Sequence, residues 1–244
     1  MKGLILAGGK GTRLLPATRV MNKHMVPILN TPMIVYPLET LKHFGIKDIM
    51  IVSGGDHIGG IADFLGDGSE FGISLTYRVQ KEAGGIAQAL ALAKDFSNGE
   101  RIAVILGDNI FDNNFSSEDW TGKNDVCLYI KEVENASRFG VFLQDDSGGG
   151  TIVEKPTDVK KGWAVTGLYI YPNEVFDVIP TLKPSKRGEL EITDVNNYFL
   201  TTKPKDGGTR LCQVIKVNSF WSDAGTPESL KEVTDWAYER RIKN

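Results

Sequence analysis

Leu4-Ile-Leu-Ala-Gly-Gly-Lys-Gly-Thr-Arg-Leu-Leu15 is the stretch around which the chain is read. Gly3 to Ala7 is a short run without a charge, which predicts a buried strand. It breaks into Gly8-Gly9-Lys10-Gly11-Thr12-Arg13. Glycines there let the backbone take unusual torsions and approach a ligand closely. Several N–H groups can then converge on an anion, with Lys10 and Arg13 adding positive charge. Gly-Lys-Gly-Thr lacks the spacing of a Walker loop, and Leu14 stands where the dinucleotide pattern needs its last glycine. The loop points to a phosphate-bearing ligand; a tight structural turn is the plainer alternative.

Outward from this loop, strands and helices alternate. Asn22-Lys-His-Met-Val-Pro27 is a polar stretch closed by proline. Thr31-Pro32 predicts a helix start, running through Met33, Tyr36, Leu41 and Phe44 to Gly45. Strands are predicted over Asp48–Val52, Ser74–Val79 and Ile102–Leu106, with helices over Ile58–Leu65 and Gly85–Phe96. This rhythm implies right-handed crossovers and a parallel sheet. After about residue 125 the pattern changes. Strands are predicted over Asp125–Glu132, Val165–Tyr171 and Leu211–Val217. Val141–Gln144 and Thr151–Glu154 flank a glycine-rich turn and read as a hairpin. A helix is predicted over Glu189–Thr202, and Thr226-Pro227-Glu228 opens the last one. The expected fold class is α/β: a Rossmann-like mixed, mostly parallel sheet flanked by helices, with an inserted β-rich portion. One domain is expected over 1–244, its first half (about 1–124) shaped for a mononucleotide and its second (about 125–244) for another substrate.

Composition bounds the function. The chain has 244 residues, 41% hydrophobic and 24% charged, enough for a full core without staples. A net charge of −3 gives no nucleic-acid surface. No apolar run reaches membrane-spanning length, and the first strand is too short for a signal peptide. The two cysteines, Cys127 and Cys212, fall in predicted strands and read as small core residues, which fits a reduced, cytoplasmic compartment.

In open α/β sheets, ligands bind beyond the carboxyl ends of the strands. Gln80 follows one such strand, and Gly107-Asp108-Asn109 follows another. Asp108 reads as a metal ligand or as a turn cap. Asp223 stands just ahead of the last helix. If the two acids converge they suit Mg²⁺, which takes a few carboxylates plus phosphate oxygens. Lys155 ends a strand as a mobile charge suited to phosphate or as a solvated strand end. The three histidines lack metal-like spacing, and no Ser-His-Asp order is defensible. A phosphate cradle, several separated cations and two candidate Mg²⁺ acids together fit phosphoryl-group chemistry, where positioning and charge neutralisation do most of the catalysis.

The ordered set Leu6-Ala-Gly-Gly-Lys-Gly-Thr-Arg13, Asn22-Lys-His-Met-Val-Pro27, Gly85-Ile-Ala-Gln-Ala89, Leu106-Gly-Asp-Asn109, Glu154-Lys-Pro156, Val165-Thr-Gly-Leu-Tyr169, Arg187-Gly-Glu-Leu-Glu-Ile-Thr-Asp194 and Trp221-Ser-Asp-Ala-Gly-Thr226 strongly resembles the sugar-1-phosphate nucleotidylyltransferases, over nearly the whole chain. Within them it looks most like those that use dTTP and glucose 1-phosphate. The resemblance implies that Gly8, Gly11, Thr12 and Arg13 cradle the triphosphate, and that Arg13 and Lys23 neutralise phosphate charge. Asp108 and Asp223 would hold Mg²⁺, and Gln80 and Gly85 would read the base. Lys155 and Arg187, with Tyr169, would hold the sugar phosphate, and Asn109, Gly140, Glu154 and the backbone near Val165 would face the sugar. A homo-oligomer is expected on the same ground.

The chain departs from the family pattern in places. Asn22 stands where many members have serine or threonine, His24 where many have glutamine, Phe139 where tyrosine is frequent, and Leu15 where an aromatic is frequent. The chain also stops soon after the helix that follows Thr226, so the allosteric site built from extra C-terminal helices in longer relatives is expected to be absent or altered. Two other readings compete: the same chemistry with UTP or another sugar phosphate, and a non-catalytic nucleotide-sugar binding protein on the same fold.

Overall fold

The computed structural model describes residues 1–114, 126–146, 149–202 and 212–243. In chain order it contains β1 (Lys2–Leu6), β2 (Pro27–Ile28), β3 (Thr31–Pro32), α1 (Val35–His43), β4 (Asp48–Gly54), α2 (Ile58–Leu65) and β5 (Ser74–Gln80). There follow α3 (Ile86–Ala91), α4 (Lys94–Ser97), β6 (Ile102–Leu106), β7 (Ile110–Phe111), β8 (Val126–Val133), β9 (Gly140–Gln144), β10 (Gly150–Glu154) and β11 (Gly162–Tyr171). The last are α5 (Val175–Val178), α6 (Ile192–Thr201), β12 (Cys212–Lys216), β13 (Trp221–Ser222) and α7 (Pro227–Lys243). The chain forms two compact units. One comprises Met1–Ala83, Ile105–Asn114 and Ser219–Asn244, the other Gly84–Val104 and the described residues from 126 to Asn218.

In the first unit β1 pairs parallel with β4, from Gly3↔Ile49 to Leu6↔Val52. β4 pairs parallel with β5, from Asp48↔Ser74 to Gly54↔Gln80. Helix connections between parallel strands follow from the alternation in sequence. Leu4, Ile5, Ile49 and Ile51 are fully buried, as are Leu38 and Leu41 of α1. Each such side chain stabilises the fold by about 1.5–3 kcal/mol. Helix α7 closes this unit. Pro227 takes its first position, and the Thr226 hydroxyl accepts from Ser229 N–H at 3.2 Å, as predicted for its start. Val233 and Ala237 of α7 pack with Val26, Ile28, Met33, Ile110 and Ala224, and Trp236 stacks on Phe220 with ring centroids 4.6 Å apart. The segments that carry Lys23, Asp108 and Asp223 are thereby held in one core.

The second unit is mixed and more antiparallel. β11 runs antiparallel to β8 and to β9, while β12 runs parallel to β8. β9 and β10 form the expected hairpin, from Gly150↔Gln144 to Glu154↔Gly140. Helix α6 is fastened to β10 by Asn197, which accepts from Ile152 N–H at 2.7 Å and donates to its carbonyl at 2.8 Å. The pairing of β11 with β8 shifts register between Val165 and Tyr169, which displaces the intervening backbone from the ladder.

Three helices differ from their sequence-based limits. Residues Thr31–Pro32 pair with Pro27–Ile28 instead of starting a helix, and the N–H groups of Met33 and Ile34 are taken by the carbonyls of Val26 and His24. Helix α1 therefore begins only at Val35. The alanine-rich segment from Gly85 to Phe96 is two helices, because Leu92 and Ala93 make tighter bonds to Ala89 and Leu90. Residues 189–191 are not helical: Glu189 accepts from Ser185 N–H, Leu190 N–H donates to Gly84, and α6 begins at Ile192. The strand predicted over Leu211–Val217 is seen as β12, and that over Asp125–Glu132 as β8; Asp125 and Leu211 lie outside the described residues.

Candidate active site

In the first unit the chain leaves β1 into Gly8 and Gly9 and turns at Gly11, whose φ is 62°. A methyl on Gly11 would lie 2.8 Å from Thr18 Cγ2 and 3.0 Å from Lys23 Cβ, so both torsion and space require glycine. Thr12 and Arg13 begin the short 3-10 turn that follows, Thr12–Leu14. Gln80, at the end of β5, puts its Oε1 3.4 Å from where a Gly8 side chain would start. A nucleotide-sized ligand over this loop would meet bare backbone from β1 and an amide from β5.

Two predicted charged side chains, those of Arg13 and Asp108, meet at Gly225, beside the backbone of Asp223. A Cβ there would lie 3.1 Å from Arg13 Nη2, 3.3 Å from Asp108 Oδ2 and 3.3 Å from the Asp223 carbonyl oxygen. Lys23 Nζ donates to Asp108 Oδ2 at 2.6 Å, with the two side chains only 12% and 14% exposed. Asn109 Nδ2 donates to the other Asp108 oxygen at 3.1 Å, and Asn109 Oδ1 accepts from Trp221 Nε1 at 2.8 Å. Asn109, expected on the sugar-phosphate side, thus has its amide engaged in orienting Asp108. Burial acts to raise the Asp108 pKa, but the Lys23 ammonium and the hydrogen bonds from Lys23 and Asn109 outweigh it. The carboxyl is held below its ordinary value and is ionised at neutral pH.

Sequence reasoning read His24 as lacking a metal partner and as standing where many relatives have glutamine. The structure buries it to 1% exposure beneath Gly107, directly behind Asp108. Its pKa is pushed down to about 3, first by burial and then by the Lys23 charge, with Asp108 opposing. The ring is neutral at physiological pH. Asn22 Oδ1 accepts from His24 N–H at 2.7 Å and lies 2.8 Å from His24 Nδ1.

In the second unit Glu154, Lys155 and Arg187 come together. Glu154 Oε1 lies 3.2 Å from Lys155 Nζ and 3.7 Å from Arg187 Nη2, while Glu154 Oε2 accepts from Thr193 Oγ1 at 2.5 Å. Arg187 is anchored by Glu191, with Nη2 at 2.9 and 2.8 Å from its two oxygens, and this bonding raises the guanidinium pKa. Burial, then Glu191 and Glu154, raise the Asp194 pKa. Gly140 belongs to this group: a Cβ there would sit 3.3 Å from Thr193 Oγ1 and 3.4 Å from Glu154 Oε2. Val165 borders the register shift, and the buried Tyr169 ring stacks on Tyr171 at 5.9 Å. Gly85 opens α3 with φ 100°, and a methyl on it would strike the Leu190 carbonyl oxygen at 2.4 Å. Thr193, Glu191 and Asp194 had not been singled out, although all three lie in the quoted Arg187–Asp194 stretch.

Lys155 and Ala224 have φ of 45° and 35°, in the left-handed region. Such torsions cost a non-glycine residue about 1 kcal/mol or more, and they cluster where function over-determines the backbone. Each adjoins a site acid, Glu154 in one case and Asp223 in the other. Among the described residues no three His, Cys, Asp or Glu side chains form a group able to hold a metal by themselves. Asp108 and Asp223 would leave most of a cation's coordination to ligand oxygens. That suits Mg²⁺, which is bound through one or two carboxylates plus phosphates.

A glycine loop after a parallel strand, with the part-buried Lys23 ammonium beside an ionised carboxylate, suits a phosphate-handling α/β protein. The comparisons with known proteins narrow this class. A family model described as nucleotidyl transferase matches residues 2–239, and the chain belongs to that family. It is 39% identical to a glucose-1-phosphate thymidylyltransferase of Neisseria meningitidis over 241 residues, covering 97% of this chain and 82% of that protein. A solved structure from Bacillus anthracis, provisionally described as a glucose-1-phosphate thymidylyltransferase in complex with sucrose, is 46% identical with a TM-score of 0.87, covering 97% and 95% of the two chains. A UDP-glucose pyrophosphorylase complexed with UDP-glucose shares the fold at 24% identity and a TM-score of 0.78, covering 98% of each chain. The expected α/β fold class, with its mixed, mostly parallel sheet, is that of these structures. No helix among the described residues is long and apolar enough to cross a membrane.

Proposed function

We propose that this chain is a glucose-1-phosphate thymidylyltransferase, joining dTTP and glucose 1-phosphate into dTDP-glucose and pyrophosphate. The observation that carries the proposal is the gathering of Arg13, Lys23 and Asp108 at Gly225, in a chain that shares 39% of its residues with a relative of that name. A phosphate oxygen of the sugar phosphate attacks the α-phosphorus. The new P–O bond forms as the bond to the β-phosphate bridging oxygen breaks, and pyrophosphate leaves with that electron pair. Both reactants are anions, so the chain must first cancel their repulsion.

In the first unit the backbone at Gly8 and Gly11, with Thr12, receives the triphosphate, with Gln80 beside Gly8 to read the pyrimidine edge through an amide donor and acceptor. Arg13 and Lys23 meet the charge that develops on the leaving pyrophosphate, and Lys23, held by Asp108, need not reorganise during reaction. Asp108 and Asp223 would hold Mg²⁺, which when bound supplies positive charge against the α-phosphate. Asn109 and Trp221 keep Asp108 oriented. In the second unit Lys155 and Arg187 hold the sugar phosphate. Glu154, fixed by Thr193, accepts from hexose hydroxyls, with Gly140 and the backbone near Val165 leaving room for the ring. Gly85 sets the first turn of α3, where its approach to the Leu190 carbonyl leaves no room for a side chain.

The test is pyrophosphate release with Mg²⁺ and glucose 1-phosphate, run in parallel with dTTP, UTP, CTP, ATP and GTP. Fastest turnover with dTTP supports the proposal. Thymine and uracil differ by one methyl, worth only about 1–3 kcal/mol of discrimination, so UTP is the informative competitor. A lead by UTP would replace the nucleotide assignment, and no release with any of the five would overturn the reading.

A further inference from the structure

Asn22 and His24, on either side of Lys23, touch each other. Asn22 Oδ1 accepts from the His24 backbone N–H at 2.7 Å and sits 2.8 Å from His24 Nδ1. An amide oxygen has no proton to give, so the imidazole carries its hydrogen on Nδ1. Asn22 thereby caps the short turn Lys23–Met25, on which Lys23 is the first residue. The ring itself fills the space beneath Gly107: a methyl there would lie 2.6 Å from Cδ2 and 3.0 Å from Nε2. Gly107 is joined to β1 by its N–H on the Leu6 carbonyl at 2.9 Å, and Asp108 is the next residue. The His24 carbonyl is occupied as well, accepting from Ile34 N–H at 2.8 Å. Both side chains are buried, Asn22 at 6% exposure, and the Asn22 Nδ2 finds no acceptor among the described residues.

The geometry points to a coupled pair of positioning residues: Asn22 and His24 together set the distance between Lys23 Nζ and Asp108 Oδ2. The pair grips both sides of that contact. Through the capped turn it fixes where the Lys23 backbone starts, and through the ring it fixes where Gly107 hands the chain to Asp108. Neither residue needs to meet substrate. The inference rests on the reading of Lys23 and Asp108 as charge-handling groups of the reaction. Two side chains that hold one contact jointly give effects that do not multiply, because loss of either already loosens it. Buried polar partners are the usual source of such coupling.

The test is a double-mutant cycle on the intact protein with Asn22→Ala, His24→Ala and the double variant, alongside Lys23→Ala and Asp108→Asn. Each single variant of the pair is expected to lower kcat about tenfold while KM for dTTP and for glucose 1-phosphate stays within about threefold. The double variant is expected to be no slower than about threefold below the worse single one. His24→Asn, whose amide can donate where Nδ1–H stands, is expected to run at least about threefold faster than His24→Ala. The ¹⁵N spectrum of the imidazole supplies a readout apart from turnover: Asn22→Ala should shift the Nδ1 resonance that marks its hydrogen bond. Single losses that multiply in the double variant, or unchanged kcat with only a lower melting temperature, would overturn the inference. If His24→Ala does not fold, Asn22→Ala decides, and native kcat in that variant refutes the pair. Native turnover in Lys23→Ala and Asp108→Asn would instead strike the proposed function, so the two failures are distinct.

Discussion

Acidification should destabilise this protein through His24 by an amount that its surroundings fix. The ring is buried beside the Lys23 ammonium, and its pKa falls from an ordinary 6.5 to about 3. The unfolded chain therefore binds this proton more tightly than the folded one. Stability tied to the neutral ring is complete above pH 6.5 and is lost as pH falls toward 3. At pH 5 the loss relative to pH 8 comes to about 2 kcal/mol. One unit either way in the folded value alters this by less than about 0.1 kcal/mol, since pH 5 lies well above it. Against a total of about 5–15 kcal/mol the loss is readily measured. Urea unfolding at pH 8 and pH 5 on the native protein and on His24→Gln isolates the effect, because every other titrating group is common to both. The native protein should lose about 2 kcal/mol more than the variant. Equal losses would mean that the ring is not buried and neutral as described.

Other expectations follow from the same geometry. Asp108→Asn and Asp223→Asn should each lower kcat by about a hundredfold or more and weaken dTTP binding far less; native turnover in both would remove the metal assignment. Lys155→Ala should raise KM for the sugar phosphate by about tenfold with a smaller change in kcat, and an unchanged KM would move that phosphate elsewhere. Gly85→Ala meets a backbone oxygen at 2.4 Å with φ at 100°. It should cost about 2–4 kcal/mol in urea unfolding, and a cost below about 1 kcal/mol would contradict the described start of α3.

Much of this architecture can be read in the residues, for reasons that differ by element. β1, β4 and β6 are apolar runs bounded by polar or glycine residues, so burial on both faces is visible in one dimension. The β9–β10 hairpin announces itself by a glycine-rich turn between alternating strands. Thr226-Pro227 marks a helix start because capping is local chemistry. Thr31-Pro32 carries the same signature and misleads, because it pairs back on Pro27–Ile28 and the N–H groups after it go to the carbonyls of Val26 and His24, a hairpin that the capping signature does not reveal. Site residues behave likewise. Lys23 and Asp108 stand out by type and place, but their contact spans 85 positions of sequence. His24 shows no signal beyond an unusual letter in its motif, since its role comes from what covers it. Thr193 gives no sign of meeting Glu154, because a hydroxyl on a helix face is ordinary in sequence.

The first unit is assembled from segments far apart in the chain, and this bears on synthesis. Its core joins Val26, Ile28 and Met33 to Val233 and Ala237 of α7. A ribosome adding about 5–20 residues per second exposes the early segments for on the order of ten seconds or more before α7 exists. The second unit is encoded almost wholly within that interval. The order of emergence therefore has the later-numbered unit complete its own contacts while β2 and β3 still wait for their closing helix. Apolar Val26, Ile28 and Met33, whose partners on α7 come last, are the residues that gain from a chaperone in that interval.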